Sequence, residues 1–306
     1  MKWMKVAVIW SVACLINFFV GFHAFAVQID LLASLNGNKL MGKFNQPFAL
    51  FFDERKKKLY VADTGNNRIV SFNDEFEYIA DFNAGGELKH PKSLVKNSRD
   101  EFFLTGGEGG NELFIVDVAR KIFRQFKITG APQRVNPILP GRLAIDKDDN
   151  LYLVDKGNGR ILVLDREGLF IREILFKDRF VDFSDVRVGS DGNIYLLSAL
   201  ERKVYIFNNK GKLLSSFGKR GNKKHEFAFP ISIALDNRGI IYVLDQHKGS
   251  VMAFKKNGDF LDSFFKTGWI PEELYRPSYL WMDSENNLYI ADKGNNRIQV
   301  FHIKMK

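Results

Sequence analysis

Short apolar runs alternate with polar turns along nearly the whole chain, and six of them centre on an aromatic residue: Tyr60, Phe103, Tyr152, Tyr195, Tyr242 and Tyr289. These markers recur every 43 to 49 residues. Runs rich in Val, Ile, Leu, Tyr and Phe, bounded by Gly, Asn and Asp, are the pattern of strands joined by tight turns. Each period begins at a Pro or Phe (Pro47, Pro91, Pro140, Phe183, Pro230, Pro277) and carries a first strand, a turn and the aromatic-marked strand. A second turn, a third strand and a fourth strand ending near Gly or Phe complete it. A four-strand unit of about 46 residues is the size of a propeller blade. The sixth period stops after its third strand, at Ile298-Gln299-Val300-Phe301, and the missing strand is found at the other end, where Ile29-Asp30-Leu31-Leu32-Ala33-Ser34-Leu35 reads like the fourth strands elsewhere. The pattern therefore predicts an all-β, six-bladed β-propeller of four-stranded blades, closed by the N-terminal strand pairing with the last blade.

The turn between the second and third strands has its own signature. Ala62-Asp63-Thr64-Gly65-Asn66-Asn67-Arg68-Ile69 recurs as Val154-Asp155-Lys156-Gly157-Asn158-Gly159-Arg160-Ile161 and as Ala291-Asp292-Lys293-Gly294-Asn295-Asn296-Arg297-Ile298. Gly and Asn tolerate the positive φ that such turns require, and Asp accepts backbone N–H bonds across the loop. On these turns the chain, from residue 29 to 303, resembles the NHL-repeat family. Three turns depart from the pattern: Thr105 to Leu113 is longer and Gly-rich, Ser198 to Val204 has lost Asp and Gly, and Asp245 to Val251 has Ser250 in place of Arg. The resemblance implies one propeller domain over residues 27–306. It also implies two kinds of function, since some NHL-like propellers are zinc-dependent lyases in peptide amidation and others resemble lactonases. Neither residue pattern is complete here.

Composition changes this picture little. At 45% hydrophobic and 14% aromatic residues the chain has ample core and is not disordered. Residues 1–26 hold Lys2 and Lys5 and no acid, then an apolar run from Val6 to Val20, then Ala24-Phe25-Ala26. That is the form of a signal peptide, with an uncleaved membrane anchor as the other reading of the same segment. Either reading predicts export to a periplasmic or extracellular location, with any membrane attachment confined to this segment. Cleavage would remove Cys14, the one cysteine, and with it thiolate metal sites, disulfides and cysteine nucleophiles. The net charge of +9 suits acidic partners, with a plain solubility charge as the other reading, and export argues against nucleic acid.

Motifs for catalysis are sparse. Gly106-Gly107-Glu108-Gly109-Gly110 lacks the Lys-Ser/Thr of a phosphate loop, and His225-Glu226-Phe227-Ala228-Phe229 has Phe where a zinc protease needs its second His. The acidic turns at Asp146 and Asp283 read as hairpins rather than calcium loops. His90, His225 and His247 fall in loops of one face, but nothing in their spacing sets a metal geometry. No metal or cofactor is therefore expected, and no catalytic residue is assigned.

The inner strands offer more. Two and four residues after each leading residue lie Ala49 and Phe51, Ser93 and Val95, Arg142 and Ala144, Asp185 and Arg187, Ser232 and Ala234, Tyr279 and Trp281. The intervening Leu50, Leu94, Leu143, Val186, Ile233 and Leu280 are apolar and should pack between blades. Arg142, Asp185, Arg187, Tyr279 and Trp281 are candidate ligand-binding residues near the channel mouth; pairing of Asp185 with an Arg to close the channel is the competing reading. Glu108, Glu201, Arg202 and His247, in the turns that lost the signature, are further candidates. The sequence is read as a monomeric, non-enzymatic binding or scaffold module for a protein, peptide or glycan. The alternative is a metal-assisted lyase or hydrolase at the channel mouth.

Overall fold

The computed structural model describes residues 27–305, so the expected signal or anchor segment lies outside the described residues. Each of the six periods forms a four-stranded antiparallel sheet. The inner strands are Pro47–Asp53, Ser93–Lys96, Pro140–Ile145, Phe183–Val188, Pro230–Leu235 and Tyr279–Met282. Each touches the next around the ring, and the last touches the first.

Ring closure follows the expected route. Val27–Leu35 pairs antiparallel with Arg297–Met305, the third strand of the sixth blade, with Ile29 opposite Ile303, Leu31 opposite Phe301 and Leu35 opposite Ile298. Val27, Ile29 and Leu31 pack against the core shared by the fifth and sixth blades, and Ala33 and Leu35 against the core of the first. One strand thus joins both ends of the chain and covers an edge that would otherwise be bare.

Alternation decides what faces the channel. Leu50, Leu94, Leu143, Val186, Ile233 and Leu280 have essentially no exposure and lie in the cores between sheets. Register slips just inside the leading residue of the first, third, fourth and fifth blades, between Pro47 and Ala49, Pro140 and Leu143, Phe183 and Asp185, and Pro230 and Ser232. A bulge at that point bends the strand and re-aims the side chains at the channel mouth.

Two side-chain devices repeat around the ring. On the face opposite the mouth, four of the five marker tyrosines, all but Tyr60, donate their hydroxyls to the Asp of the preceding turn: Tyr152 to Asp146 at 3.2 Å, Tyr195 to Asp191 at 3.0 Å, Tyr242 to Asp236 at 3.2 Å and Tyr289 to Asp283 at 2.9 Å. The same aspartates accept backbone N–H groups within the turn, as Asp283 does from Glu285 and Asn287. In the second blade the marker is Phe103, and Asn97 closes the turn through Arg99 N and Glu101 N without a tyrosine partner. The acidic turns are hairpin closures, as their sequence implied.

On the mouth face, the signature Asp ties turn to connecting loop. Asp63 accepts from Asn45 N, Asn66 Nδ2 and Arg68 Nε, all at 2.8 Å, while Arg68 Nη1 donates to Met41 O at 2.7 Å. Asp155 with Arg160 and Asp292 with Arg297 repeat this clamp. Asn67 and Asn296 take φ of 55° and 53°, and Gly159 takes 60° at the same turn position, which is why Asn and Gly interchange there. Blades without the Arg improvise: Lys248 Nζ donates to Lys223 O and Glu226 O, and Arg202 donates to Ala228 O and Leu200 O.

Acid should loosen the structure in a defined window. Lys56 and Lys96 hold the Asp100 carboxyl down to about 2. Burial opposes ionisation of Asp191, but Lys256, Asn193 and Tyr195 outweigh it and hold that carboxyl at about 2 as well. Both pKa values lie below the ordinary 3.8, so the stability they contribute is full above 3.8 and lost as pH falls through about 2. Urea titrations at pH 5 and pH 2.5 should show a lower midpoint at the acid pH. Lys256→Met should shrink that difference modestly, because the pair is half-exposed and screened.

Candidate ligand-binding site

The inner-strand residues singled out from the sequence converge in the channel. Asp185 has no exposure, and its carboxylate accepts four hydrogen bonds: from Arg187 Nη1 at 2.8 Å, Val186 N at 2.9 Å, Ser232 Oγ at 2.7 Å and Ile233 N at 3.0 Å. Arg187 also donates to Val186 O and Leu280 O. Its guanidinium lies over the rings of Tyr279 at 4.7 Å and Trp281 at 5.7 Å. Arg142 stacks on Tyr279 at 4.4 Å and on Phe48 at 4.8 Å, and donates to the carbonyls of Lys92 and Ser278. Phe48, Arg142, Tyr279 and Arg187 therefore form a stack across the channel, with Trp281 one step deeper, edge-on to Phe51 at 5.0 Å.

This stack is a plug with an unbalanced charge. One carboxylate, Asp185, serves two guanidiniums, and only Arg187 pairs with it directly. Burial and the neighbouring Arg187 push the Arg142 pKa down, whereas for Arg187 burial, the largest single influence, is outweighed by Asp185 and Tyr279 together, which push it up. Among the described residues, six buried side-chain polar atoms lack a hydrogen-bond partner of good geometry, and three of them, Arg187 Nε, Tyr279 Oη and Trp281 Nε1, are in this plug, although Tyr279 Oη still interacts with the Arg187 guanidinium. Orphaned polar groups are rare in cores that only need to pack, so their concentration marks the channel as more than a packing solution.

Above the plug the mouth opens into a cup of about 460 Å³. Its wall is built from two rings of equivalent positions. The residue after each leading residue contributes Phe48, Lys92, Gly141, Ser184, Ile231 and Ser278. The residue after the turn Asp, or its equivalent, contributes Lys156, Ala199 and Gln246, while Lys293, at the same position in the sixth blade, lies 5.3 Å above the Phe48 ring. Arg142 lines the cup as well; Asp185, Arg187, Tyr279 and Trp281 do not and lie beneath it. A second concavity of about 380 Å³, lined by Gln46, Tyr275, Arg276, Lys293 and Asn296, shares Gln246 with the first.

The turn candidates sit elsewhere. Glu108 is exposed at the tip of the second blade's loop. Glu201 is held by Arg179 and the Tyr205 hydroxyl, and Arg202 is absorbed by its clamp on Ala228 O and Leu200 O. His247 is exposed and stacks on Phe229, which lines the cup, with centroids 4.8 Å apart. Among the described residues no three His, Cys, Asp or Glu side chains are grouped so as to hold a metal ion, so His90, His225 and His247 do not form one site. Trp269 and Tyr275, near Tyr279 in sequence, pair with each other at 5.6 Å on the outer loop.

Lys92, Lys156, Lys293 and Phe48 were missed in the sequence. Their signal was positional: Lys156 and Lys293 are the variable residue of the Asp-x-Gly turn, and Lys92 and Phe48 directly follow the leading proline.

The fold and its turns place the chain in a known class. Residues 274–301 match the family model of the NHL repeat, and residues 177–254 match a family model described as a 6-bladed beta-propeller. The chain is a six-bladed β-propeller whose last blade carries an NHL-repeat match. Comparison with curated proteins gives no match. Among solved structures, a streptogramin B lyase is similar at 14% identity and a TM-score of 0.63, over 91% of this chain and 98% of that one. Virginiamycin B lyase from Staphylococcus aureus, solved with quinupristin, is similar at 12% identity and a TM-score of 0.61, over 84% of this chain and 80% of that one. A gluconolactonase from Xanthomonas campestris is similar at 13% identity and a TM-score of 0.65, over 91% and 90%. At these identities the likeness is one of fold.

Proposed function

We propose that this protein is a binding module that takes its ligand into the cup at the channel mouth, on the face bearing the connecting loops. The observation that carries this reading is the cup itself. It is a concavity of about 460 Å³ with Phe48, Phe183, Phe229 and Ile231 as apolar wall, a few cationic side chains set among them and a plugged floor. Concave, mostly apolar sites with sparse polar anchors are where small ligands and the ends of larger ones bind. Export, a glycan or peptide as natural ligand and a monomeric state belong to the same proposal.

The lyase or hydrolase alternative has less behind it. The lyases and the gluconolactonase share the architecture, but among the described residues no grouped ligand set of the kind metal-assisted chemistry needs is found near the cup.

Filling the cup tests the reading. A thermal-shift screen of small molecules of mixed charge should give ligands that raise the melting midpoint by about 5–10 °C at a hundredfold excess over Kd. Ala199→Phe and Ile231→Trp, which place bulk in the cup, should each abolish these shifts. Ligands that still stabilise both folded variants, or a screen without any ligand, would overturn the proposal.

A further inference from the structure

The cup has an excess of one sign of charge that the fold does not neutralise. Lys92, Arg142 and Lys156 line it and Lys293 stands at its edge, whereas Asp182 is the one acid in its wall. None of these four cations has a carboxylate within ion-pair distance among the described residues, although most of the basic side chains in the signature turns do. Arg142 is 7% exposed and satisfied only by two carbonyls. Burying a guanidinium without a counter-charge is costly, and a structure that needed it only for packing would supply an acid, as it does for Arg187.

Two of the lysines lie over glycines. A side chain at Gly110 would meet Lys92 Nζ at 2.0 Å, and one at Gly141 would meet Lys156 Cε at 2.8 Å, so each stem lies folded over a glycine toward the mouth. Lys156 retains water access while being ringed by protein. That crowding, followed by Arg142 and Lys92, pushes its pKa below the ordinary 10.5. Burial, followed by Arg276 and Lys92, does the same to Lys293. Like charges are thus pressed together around an apolar ring, Phe48, that Arg142 and Lys293 both approach.

We infer that the cup binds an oxyanion carried on a small, flat-faced body of one- or two-sugar size, of which an acidic sugar is the best-fitting class. The carboxylate meets Lys92, Lys156 and Arg142, and the sugar face lies on Phe48 and Phe229. Cup volume favours such a ligand over a broad protein surface. This deepens the binding reading above and rests on it.

Titration calorimetry on the full-length chain tests the inference with digalacturonate, galacturonate, galactose, inorganic phosphate and sulfate as probes. Digalacturonate should bind at least roughly tenfold tighter than galactose, weakening with added salt and as pH rises toward the lysine range. Lys92→Gln and Lys156→Gln should each weaken it by about tenfold or more, the worth of a charge-assisted hydrogen bond. Their melting midpoints should stay level or rise, because each removes an uncompensated charge. Phosphate and sulfate binding as tightly as digalacturonate, and equally sensitive to these lysines, would support the oxyanion and reassign its source from a sugar to a free anion. Galactose binding as well as digalacturonate, or binding indifferent to both lysine changes, would overturn the inference. In that case neutral ligands blocked by Ala199→Phe and Ile231→Trp would leave the binding reading standing; ligands insensitive to that bulk would end both.

Discussion

Replacing Asp185 with alanine is expected to destabilise the propeller by about 3–5 kcal/mol, a larger loss than any surface change should cause. The carboxylate has no exposure and accepts from one guanidinium, one hydroxyl and two backbone amides contributed by adjacent blades. Its removal leaves Arg187 buried without a counter-charge, frees Ser232 Oγ and Ile233 N, and withdraws the carboxylate that partly offsets Arg142. For a chain of this size that corresponds to a fall in melting midpoint on the order of 10 °C. The double variant Asp185→Leu with Arg187→Met should recover most of the loss, since an apolar pair of similar volume carries no desolvation penalty. Calorimetric melts of Asp185→Leu, Arg187→Met and their combination form the cycle, with Asp185→Ala beside them. A single variant that melts with the wild type would show that the plug does not depend on this pair. Full recovery in the double variant would indicate that the pair is kept for the charge beneath the cup rather than for stability.

Deletion of residues 27–35 is expected to remove about 5 kcal/mol or more, which is comparable to the whole stability of an ordinary domain. The strand packs Val27, Ile29, Leu31, Ala33 and Leu35 against two blade cores and supplies a ladder to the last blade. Partial burial of these side chains accounts for a few kcal/mol, and each lost ladder bond adds about 0.5–1.5 kcal/mol. The deletion also bares the edge of Arg297–Met305, so the truncated chain should associate as well as melt early. Light scattering and urea titration read the two effects separately. A truncated chain that is monomeric with an unchanged midpoint would refute closure by this strand.

The architecture was readable because a propeller is periodic. A blade cannot bury both faces alone, so each period must repeat the same apolar alternation, and Tyr60 through Tyr289 mark it at nearly constant spacing. The closing strand was readable for a related reason, since a sixth period one strand short and a stray strand at the other end have one edge-covering solution. The job of the marker tyrosines was not readable. Their hydroxyls reach a turn Asp four or six residues earlier, across a hairpin whose geometry sets the distance.

The site was legible in part. Arg142, Asp185, Arg187, Tyr279 and Trp281 meet in the channel because a two-residue period puts them on one face of strands that share an axis. The sequence placed them together at the mouth, and the structure separates them by depth, with Arg142 at the wall of the cup and the rest in the plug. Lys92, Lys156 and Lys293, 64 to 201 residues apart, carry no sequence signal that joins them. Local pattern settled the sheets, the ring and the apolar contacts between blades, because those depend on alternation and turn chemistry within some 46 residues. Which cations gather around one cup was decided only in the closed ring, because the inner strands and turns of different blades meet only there. Carboxylates of the same blade, two to five residues away in sequence, neutralise Arg68, Arg160, Arg187 and Arg297, whereas among the described residues none comes within ion-pair distance of the cations of the cup.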